Sequence, residues 1–100
     1  MRMRKKKWAV PELNCCGFFV EQPIEYKGRW REAFPHPEYP ICLELGCGKG
    51  SFAAQMGIAY KETNFLAIDL ISDMLGVGQR NIKKLYAEHQ RPVDNIRLTA

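Results

Sequence analysis

The sequence predicts an α/β fold in which parallel strands alternate with helices, and three observations lead to this prediction. After Pro40 the pattern runs strand, helix, strand, helix, strand. The predicted strands are nearly continuous apolar runs, which is typical of parallel strands covered by helices on both faces. A glycine-rich loop joins the first of these strands to the first helix. Right-handed crossovers would place all three strands in parallel in one sheet.

Each element has its own signal in the chain. Short apolar runs bounded by turn residues predict strands, and apolar residues at helical spacing predict helices. The predicted elements are strand Ile41–Leu45, glycine loop 46–50, helix 51–60, strand Asn64–Ile68 ending before Asp69, helix 72–90 and strand 95–99.

The two helices differ in the detail that their patterns predict. The first is expected to bury Phe52, Met56 and Ala59 on one face. Ser72 is a good N-cap residue for the second helix, with Asp73 in its first turn. Gly76 and Gly78 lower helix propensity, so they predict close backbone packing there. The expected apolar stripe of this second helix is Leu75, Ile82, Leu85, Tyr86 and His89.

The charge of the chain is concentrated near its start. Residues 1–31 hold eight Lys or Arg and three Glu, whereas residues 32–100 hold seven basic and eight acidic residues. A concentrated basic patch suits a polyanion such as nucleic acid, and the alternative is a solvated tail that aids solubility. Composition therefore divides the chain into a basic segment with a proline-rich linker, residues 1–40, and an α/β unit, residues 41–100.

Composition also excludes several classes of protein. No apolar run approaches the roughly 20 residues that span a bilayer, and no secretory h-region follows the basic start. The four cysteines lack metal-binding spacing, so we expect no metal site, no membrane association and reduced thiols in a cytoplasmic protein. The oligomeric state stays open.

The loop between the first strand and the first helix predicts a ligand site. Glycines let the backbone turn tightly and approach a ligand, and a carboxylate such as Asp69 after the next strand can accept ribose hydroxyl hydrogens. The loop is not a P-loop, which requires GxxxxGK and then Ser or Thr. It is not a dinucleotide fingerprint either, because Ser51 stands where the third glycine of GxGxxG would fall.

The observed GxGxG spacing, with Glu44 two residues before Gly46, resembles the first motif of class I S-adenosylmethionine-dependent methyltransferases. The resemblance implies S-adenosyl-L-methionine as cofactor. It also implies a Rossmann-like class I methyltransferase fold, here its N-terminal half, truncated after the third strand. The cofactor-binding residues that it implies are Glu44, Gly46, Cys47, Gly48, Gly50 and Asp69.

Further segments narrow the resemblance to one family. The basic start 2–9, the segment Glu-Tyr-Lys-Gly-Arg-Trp at 25–30 and the run 43–52 are similar to the bacterial tRNA (guanine-N7)-methyltransferases. That family transfers the cofactor's methyl group to N7 of a guanine in tRNA, which is therefore the expected partner. The tRNA-binding residues that we expect from the basic segment are Arg4, Lys5, Lys6, Lys7, Lys27 and Arg29.

The chain also departs from the family. It has Asp69 where the family usually has Glu, which shortens the carboxylate by one methylene. The family's acidic residue after the third strand and its Asp-Pro-Trp-Pro motif are missing, so no catalytic residue is assigned and the 100-residue chain alone is expected to be inactive. Two alternatives stay open: a class I methyltransferase acting on another RNA base or a small molecule, and a non-catalytic truncated remnant.

Overall fold

The computed structural model describes residues 6–100 as a parallel β-sheet with α-helices. In chain order the elements are helix α1 (Ala9–Asn14), strand β1 (Phe19–Val20), 3₁₀ turns Pro23–Tyr26 and Trp30–Ala33, strand β2 (Ile41–Leu45), helix α2 (Ser51–Ala59), strand β3 (Asn64–Ile68), helix α3 (Ser72–Glu88) and strand β4 (Ile96–Thr99).

The sheet has the strand order β1-β4-β3-β2, and every neighbouring pair is parallel. Ile41 of β2 lies opposite Asn64 of β3, and Phe65 of β3 lies opposite Ile96 of β4. The predicted α/β fold with three parallel strands is therefore confirmed. The two-residue strand β1, which pairs with β4, is an addition that the sequence pattern did not predict.

The two faces of the sheet are covered unequally. Phe65, Ala67, Ile96 and Leu98 point toward α2 and α3 and belong to the buried core. On the opposite face, Leu43 and Leu45 of β2 are 58% and 73% exposed, although Leu66 on β3 is buried. Among the described residues, this face of β2 is therefore left open to solvent at these two leucines.

Residues on both sides of Pro40 contribute to one core. Leu13, Cys16 and Phe18 from the first part of the chain lie in the same buried cluster as Leu75 and Ile82 of α3. The described residues before Pro40 therefore pack on the sheet-and-helix unit. The division into 1–40 and 41–100 stays a prediction.

Helix α2 buries a face that only partly matches the prediction. Met56 packs partly buried against the core as predicted, whereas Phe52 is 58% exposed and Ala59 is exposed. The fully buried positions are instead Ala53, Ala54 and Gly57. The small side chains let α2 lie close to the sheet, and a phenylalanine would not fit that contact.

Helix α3 starts and ends differently from the prediction. Ile71, not Ser72, is the N-cap residue, and no side chain caps the helix. The Ile71 N–H donates instead to the Asp69 carboxylate at 2.9 Å, which fixes the turn before the helix. The helix ends at Glu88, and His89 is exposed rather than part of the buried stripe.

The two glycines of α3 do allow close backbone packing, as predicted. A Cβ on Gly76 would lie 2.6 Å from the carbonyl oxygen of Ala9, so α1 rests directly on this position. A Cβ on Gly78 would lie 3.2 Å from the carbonyl carbon of Lys49. Helix α3 thus contacts the start of the chain at one glycine and the glycine loop at the other.

Candidate functional site at the glycine loop

The loop between β2 and α2 uses three glycines in the left-handed backbone region. Gly46, Gly48 and Gly50 have φ angles of 72°, 55° and 75°. Other residues adopt this conformation only at a cost of roughly 1–2 kcal/mol each. The GxGxG spacing therefore follows from the path of the backbone.

Strand β3 anchors the first half of the loop. The backbone N–H groups of Gly46 and Cys47 donate to the carbonyl oxygen of Ile68 at 2.7 and 3.0 Å. The Asp69 carboxylate accepts a hydrogen bond from the Gly48 N–H at 2.8 Å with its other oxygen, Oδ2. Both Asp69 oxygens thus hold backbone amides, and each keeps lone-pair capacity for one further donor.

Glu44 presents a carboxylate whose hydrogen bonding is incomplete. It lies on β2 opposite Ala67, on the helix-covered face of the sheet, and its Oε1 atom is buried without a hydrogen-bond partner among the described residues. Burial raises the pKa of Glu44. A buried acceptor without a partner is costly, so this oxygen is suited to a positively charged or hydrogen-bond-donating ligand group.

We expect Glu44→Gln to make the fold more stable near neutral pH. Because the pKa of Glu44 is higher in the fold than in the unfolded chain, ionised Glu44 destabilises the fold. This cost is absent below about pH 4, where the group is protonated in both states, and it appears as the pH rises through the raised pKa. Urea unfolding of the parent and of Glu44→Gln, at pH values from below about 4 to neutral, measures the difference in their free energies of unfolding.

The exposed Glu62→Gln serves as the control and should leave the unfolding midpoint unchanged. A Glu44→Gln variant that is less stable than the parent at neutral pH would show that the carboxylate stabilises the fold instead.

Cys47 differs from the other predicted cofactor-binding residues because its side chain faces the core. It is 8% exposed and packs in the main hydrophobic cluster. Burial, together with the nearby Asp69 and Glu44 carboxylates, raises the pKa of Cys47 to about 12. The thiol therefore stays protonated and unreactive at neutral pH. Cys47 is not among the residues that line the cleft beside the loop, and its contact with a cofactor stays a prediction.

A cleft of about 450 Å³ lies beside the loop, at the carboxyl ends of β2 and β3. Its walls are mostly apolar, with Asp69 as the charged group. In open parallel sheets, ligands bind in the crevice at the carboxyl ends of the strands. The lining residues are Leu45, Gly46, Ile68, Asp69, Leu70 and Ile71.

These features fit a ligand that is partly apolar and carries both a cation and hydroxyl groups. The cleft supplies apolar walls, Asp69 has acceptor capacity left, and the Glu44 oxygen lacks a partner. A Cβ on Gly46 would meet no atom within 4 Å, so the backbone there borders open space. Two of the predicted cofactor-binding residues, Gly46 and Asp69, line the cleft, whereas the other four, Glu44, Cys47, Gly48 and Gly50, are not among its lining residues. Contacts of all six with a cofactor stay a prediction.

The residues predicted to bind tRNA have varied surroundings. Lys6, Lys7 and Lys27 are exposed, whereas Arg4 and Lys5 lie outside the described residues. Arg29 forms an ion pair with Glu32 at 3.2 Å. Arg29 also lies over the Tyr26 ring, and that ring stacks on Trp30 with centroids 5.4 Å apart. The tRNA-binding role of these side chains stays a prediction.

Three other predictions concern the cysteines, metal binding and membrane association. All four cysteines are free. Within residues 6–100, no group of His, Cys, Asp and Glu side chains could hold a metal ion. None of the helices in this range is long and apolar enough to cross a membrane.

Sequence reasoning missed one polar side chain at the loop. Asn81 of α3 donates its side-chain amide to the carbonyl oxygen of Lys49 at 2.9 Å. Asn disfavours helix interiors because it competes for backbone hydrogen bonds. Its presence inside a strongly predicted helix was a signal, but nothing in the sequence pointed to Lys49 as its partner.

Comparison with known proteins shows that this chain is similar to methyltransferases. The family model described as "Putative methyltransferase" matches residues 38–100, which include the loop and three strands. The tRNA (guanine-N(7)-)-methyltransferase of Clostridium beijerinckii is 52% identical over 100 residues, which cover all of this chain and 45% of that protein. The enzymes of the same name from Clostridium perfringens and Ruminiclostridium cellulolyticum are 49% and 46% identical over 98% of this chain.

The chain spans less than half the length of these curated relatives. The family match covers more than half of the chain, and its residues include every predicted cofactor-binding residue. The chain therefore belongs to this methyltransferase family.

Proposed function

We propose that this chain supplies the cofactor-binding part of an S-adenosylmethionine-dependent enzyme that methylates N7 of a guanine in tRNA. The observation that carries the proposal is the loop Gly46–Gly48–Gly50 at the carboxyl end of β2, with Glu44 before it and Asp69 across from it. The names of the relatives supply the reaction and the substrate class.

The proposed role of each residue follows from its surroundings. S-adenosylmethionine carries a sulfonium methyl group that can be transferred to a nucleophile. Its ammonium group would give the buried Glu44 oxygen the partner that it lacks. Asp69 would accept from the ribose with the lone pairs left after its bonds to the Gly48 and Ile71 amides. The glycine backbone would let the ligand approach closely.

The chemistry demands little acid–base catalysis. N7 of guanine has its own lone pair, so attack on the methyl group requires no general base. The protein then acts by holding the two reactants in line and by excluding water, which contributes most when the bound geometry is close to that of the reaction. The base must also be accessible, by flipping or local unstacking. No catalytic residue is assigned within residues 1–100.

The test uses the complete gene product, labelled cofactor and two tRNA transcripts. One transcript contains guanosine and the other contains 7-deazaguanosine, which has carbon in place of N7. We expect label to enter only the first transcript and nucleoside analysis to identify 7-methylguanosine. Equal labelling of both transcripts, or a different modified base, would overturn the proposed target atom.

A further prediction concerns the basic start of the chain. Deleting residues 1–7, which hold five of the 15 Lys and Arg residues, should flatten the salt dependence of tRNA binding. The plot of log K against log salt has a negative slope, and each lost phosphate contact makes it less steep by about 0.7–0.9. Filter-binding titrations at several salt concentrations measure this slope, and binding of S-adenosylhomocysteine is the control that should not change. An unchanged slope would mean that the segment only aids solubility.

A further inference from the structure

Asn81 lies at the contact between α3 and the glycine loop. Its side-chain N–H donates to the Lys49 carbonyl oxygen at 2.9 Å, and the two residues are separated by 32 positions in sequence. Lys49 itself is exposed. The Asn81 bond therefore holds the backbone of a loop residue that is itself exposed to solvent.

The neighbouring residues show that the contact is close. A Cβ on Gly78 would lie 3.3 Å from the Lys49 carbonyl oxygen and 3.4 Å from that of Gly48. A Cβ on Gly50 would lie 3.2 Å from the Ile82 side chain. Asn81 thus forms its hydrogen bond where the backbones of α3 and the loop already touch.

Two side chains from different parts of the fold, one after β3 and one on α3, hydrogen-bond to the loop backbone. Asp69, which follows β3, accepts from the Gly48 N–H, and Asn81 of α3 donates to the Lys49 carbonyl. These two bonds act on successive residues at the centre of the loop. They restrict rotation of the peptides that precede Gly50, the N-cap residue of α2.

We propose that Asn81 is a positioning residue for the cofactor loop. By holding the Lys49 carbonyl, it keeps the two neighbouring glycines, Gly48 and Gly50, in the left-handed backbone conformation that they have in this loop. It makes no ligand contact in this proposal. The consequence for cofactor affinity rests on the function proposed above, whereas the consequence for loop order does not.

The experiment compares Asn81→Asp and Asn81→Ala with the parent in the complete gene product. Aspartate has nearly the same shape as asparagine but offers no N–H, and its charge faces the Lys49 carbonyl oxygen. Amide hydrogen exchange of residues 48–50 reports loop order, and calorimetry reports the affinity for S-adenosylhomocysteine. Lys84→Ala, which alters the same groove between α2 and α3 one turn further on, is the matched control.

We expect both Asn81 variants to exchange the loop amides faster while the unfolding midpoint stays near that of the parent. Affinity for S-adenosylhomocysteine should fall about 3- to 10-fold, the equivalent of one hydrogen bond. Lys84→Ala should change neither quantity. Unchanged loop exchange in both variants would overturn the inference. If the parent binds no S-adenosylhomocysteine, the proposed function fails, and loop exchange alone decides the role of Asn81.

Discussion

Replacing Asn95 by alanine is expected to destabilise the fold by about 3–5 kcal/mol, because several buried polar groups would lose their partner at once. Asn95 lies just before β4 and is fully buried. Its side-chain N–H groups face the carbonyl oxygens of Gly57 at 2.9 Å, Tyr60 at 3.3 Å and Thr63 at 3.1 Å. Its Oδ1 atom accepts from the Tyr86 hydroxyl at 2.6 Å.

The arrangement joins three parts of the chain through one amide. The three carbonyls belong to the end of α2 and the turn that leads into β3, and Tyr86 belongs to α3. Helix ends leave carbonyl oxygens without intrahelical partners. At the end of α2, the Asn95 side chain donates hydrogen bonds to two such oxygens, those of Gly57 and Tyr60. Asn95→Asp should be at least as damaging, since its carboxylate would face those carbonyl oxygens.

Urea unfolding of the complete gene product, followed by circular dichroism, measures the effect of Asn95→Ala. Asn14→Ala, at the exposed end of α1, is the matched control and should stay within about 0.5 kcal/mol of the parent. A loss below about 1 kcal/mol for Asn95→Ala would show that water or local rearrangement satisfies these groups.

Replacing Gly46 by alanine is expected to reduce affinity for S-adenosylhomocysteine by about 10- to 100-fold. The added Cβ meets no protein atom within 4 Å and would project into the space beside the cleft. If the ligand occupies that space, the methyl group must displace it, at a cost of about 1–3 kcal/mol, typical of overpacking. Isothermal titration calorimetry measures the affinity.

Gly28→Ala is a closely matched control. Gly28 has a φ angle of 78° against 72° for Gly46, and its Cβ would also meet nothing within 4 Å. Both variants should therefore lose similar stability from the left-handed backbone, about 1–2 kcal/mol. Only Gly46→Ala should lose binding. Equal affinity of the two variants would place the cofactor elsewhere.

The sequence predicted the strands better than the faces of the helices. Strands β2 and β3 have the predicted bounds, because short apolar runs between turn residues are a local signal. The face of α2 was predicted only in part, since Phe52 looked like a core residue while the contact required the small Ala53 and Gly57. Hydrophobicity alone does not report how closely two backbones approach.

The glycine loop was predictable for a related reason. Its glycines, the preceding Glu44 and the later Asp69 stand at spacings that are visible in the chain, and the structure gathers them around one loop. The bonds of Asp69 to the Gly48 and Ile71 amides were not predictable. They depend on where the carboxylate that follows β3 lies relative to the glycine loop.

For the chain after Pro40, the sequence by itself determined the order of strands and helices, the parallel sheet and the glycine loop, because each has a local pattern or a fixed handedness. Only the tertiary structure decided the pairing of β1 with β4, the contact of Ala9 with Gly76, and the partners of Asn81 and Asn95. These contacts join residues that are far apart in sequence. Periodicity shows that a residue is buried or polar, but its partner is set by how the elements pack in space.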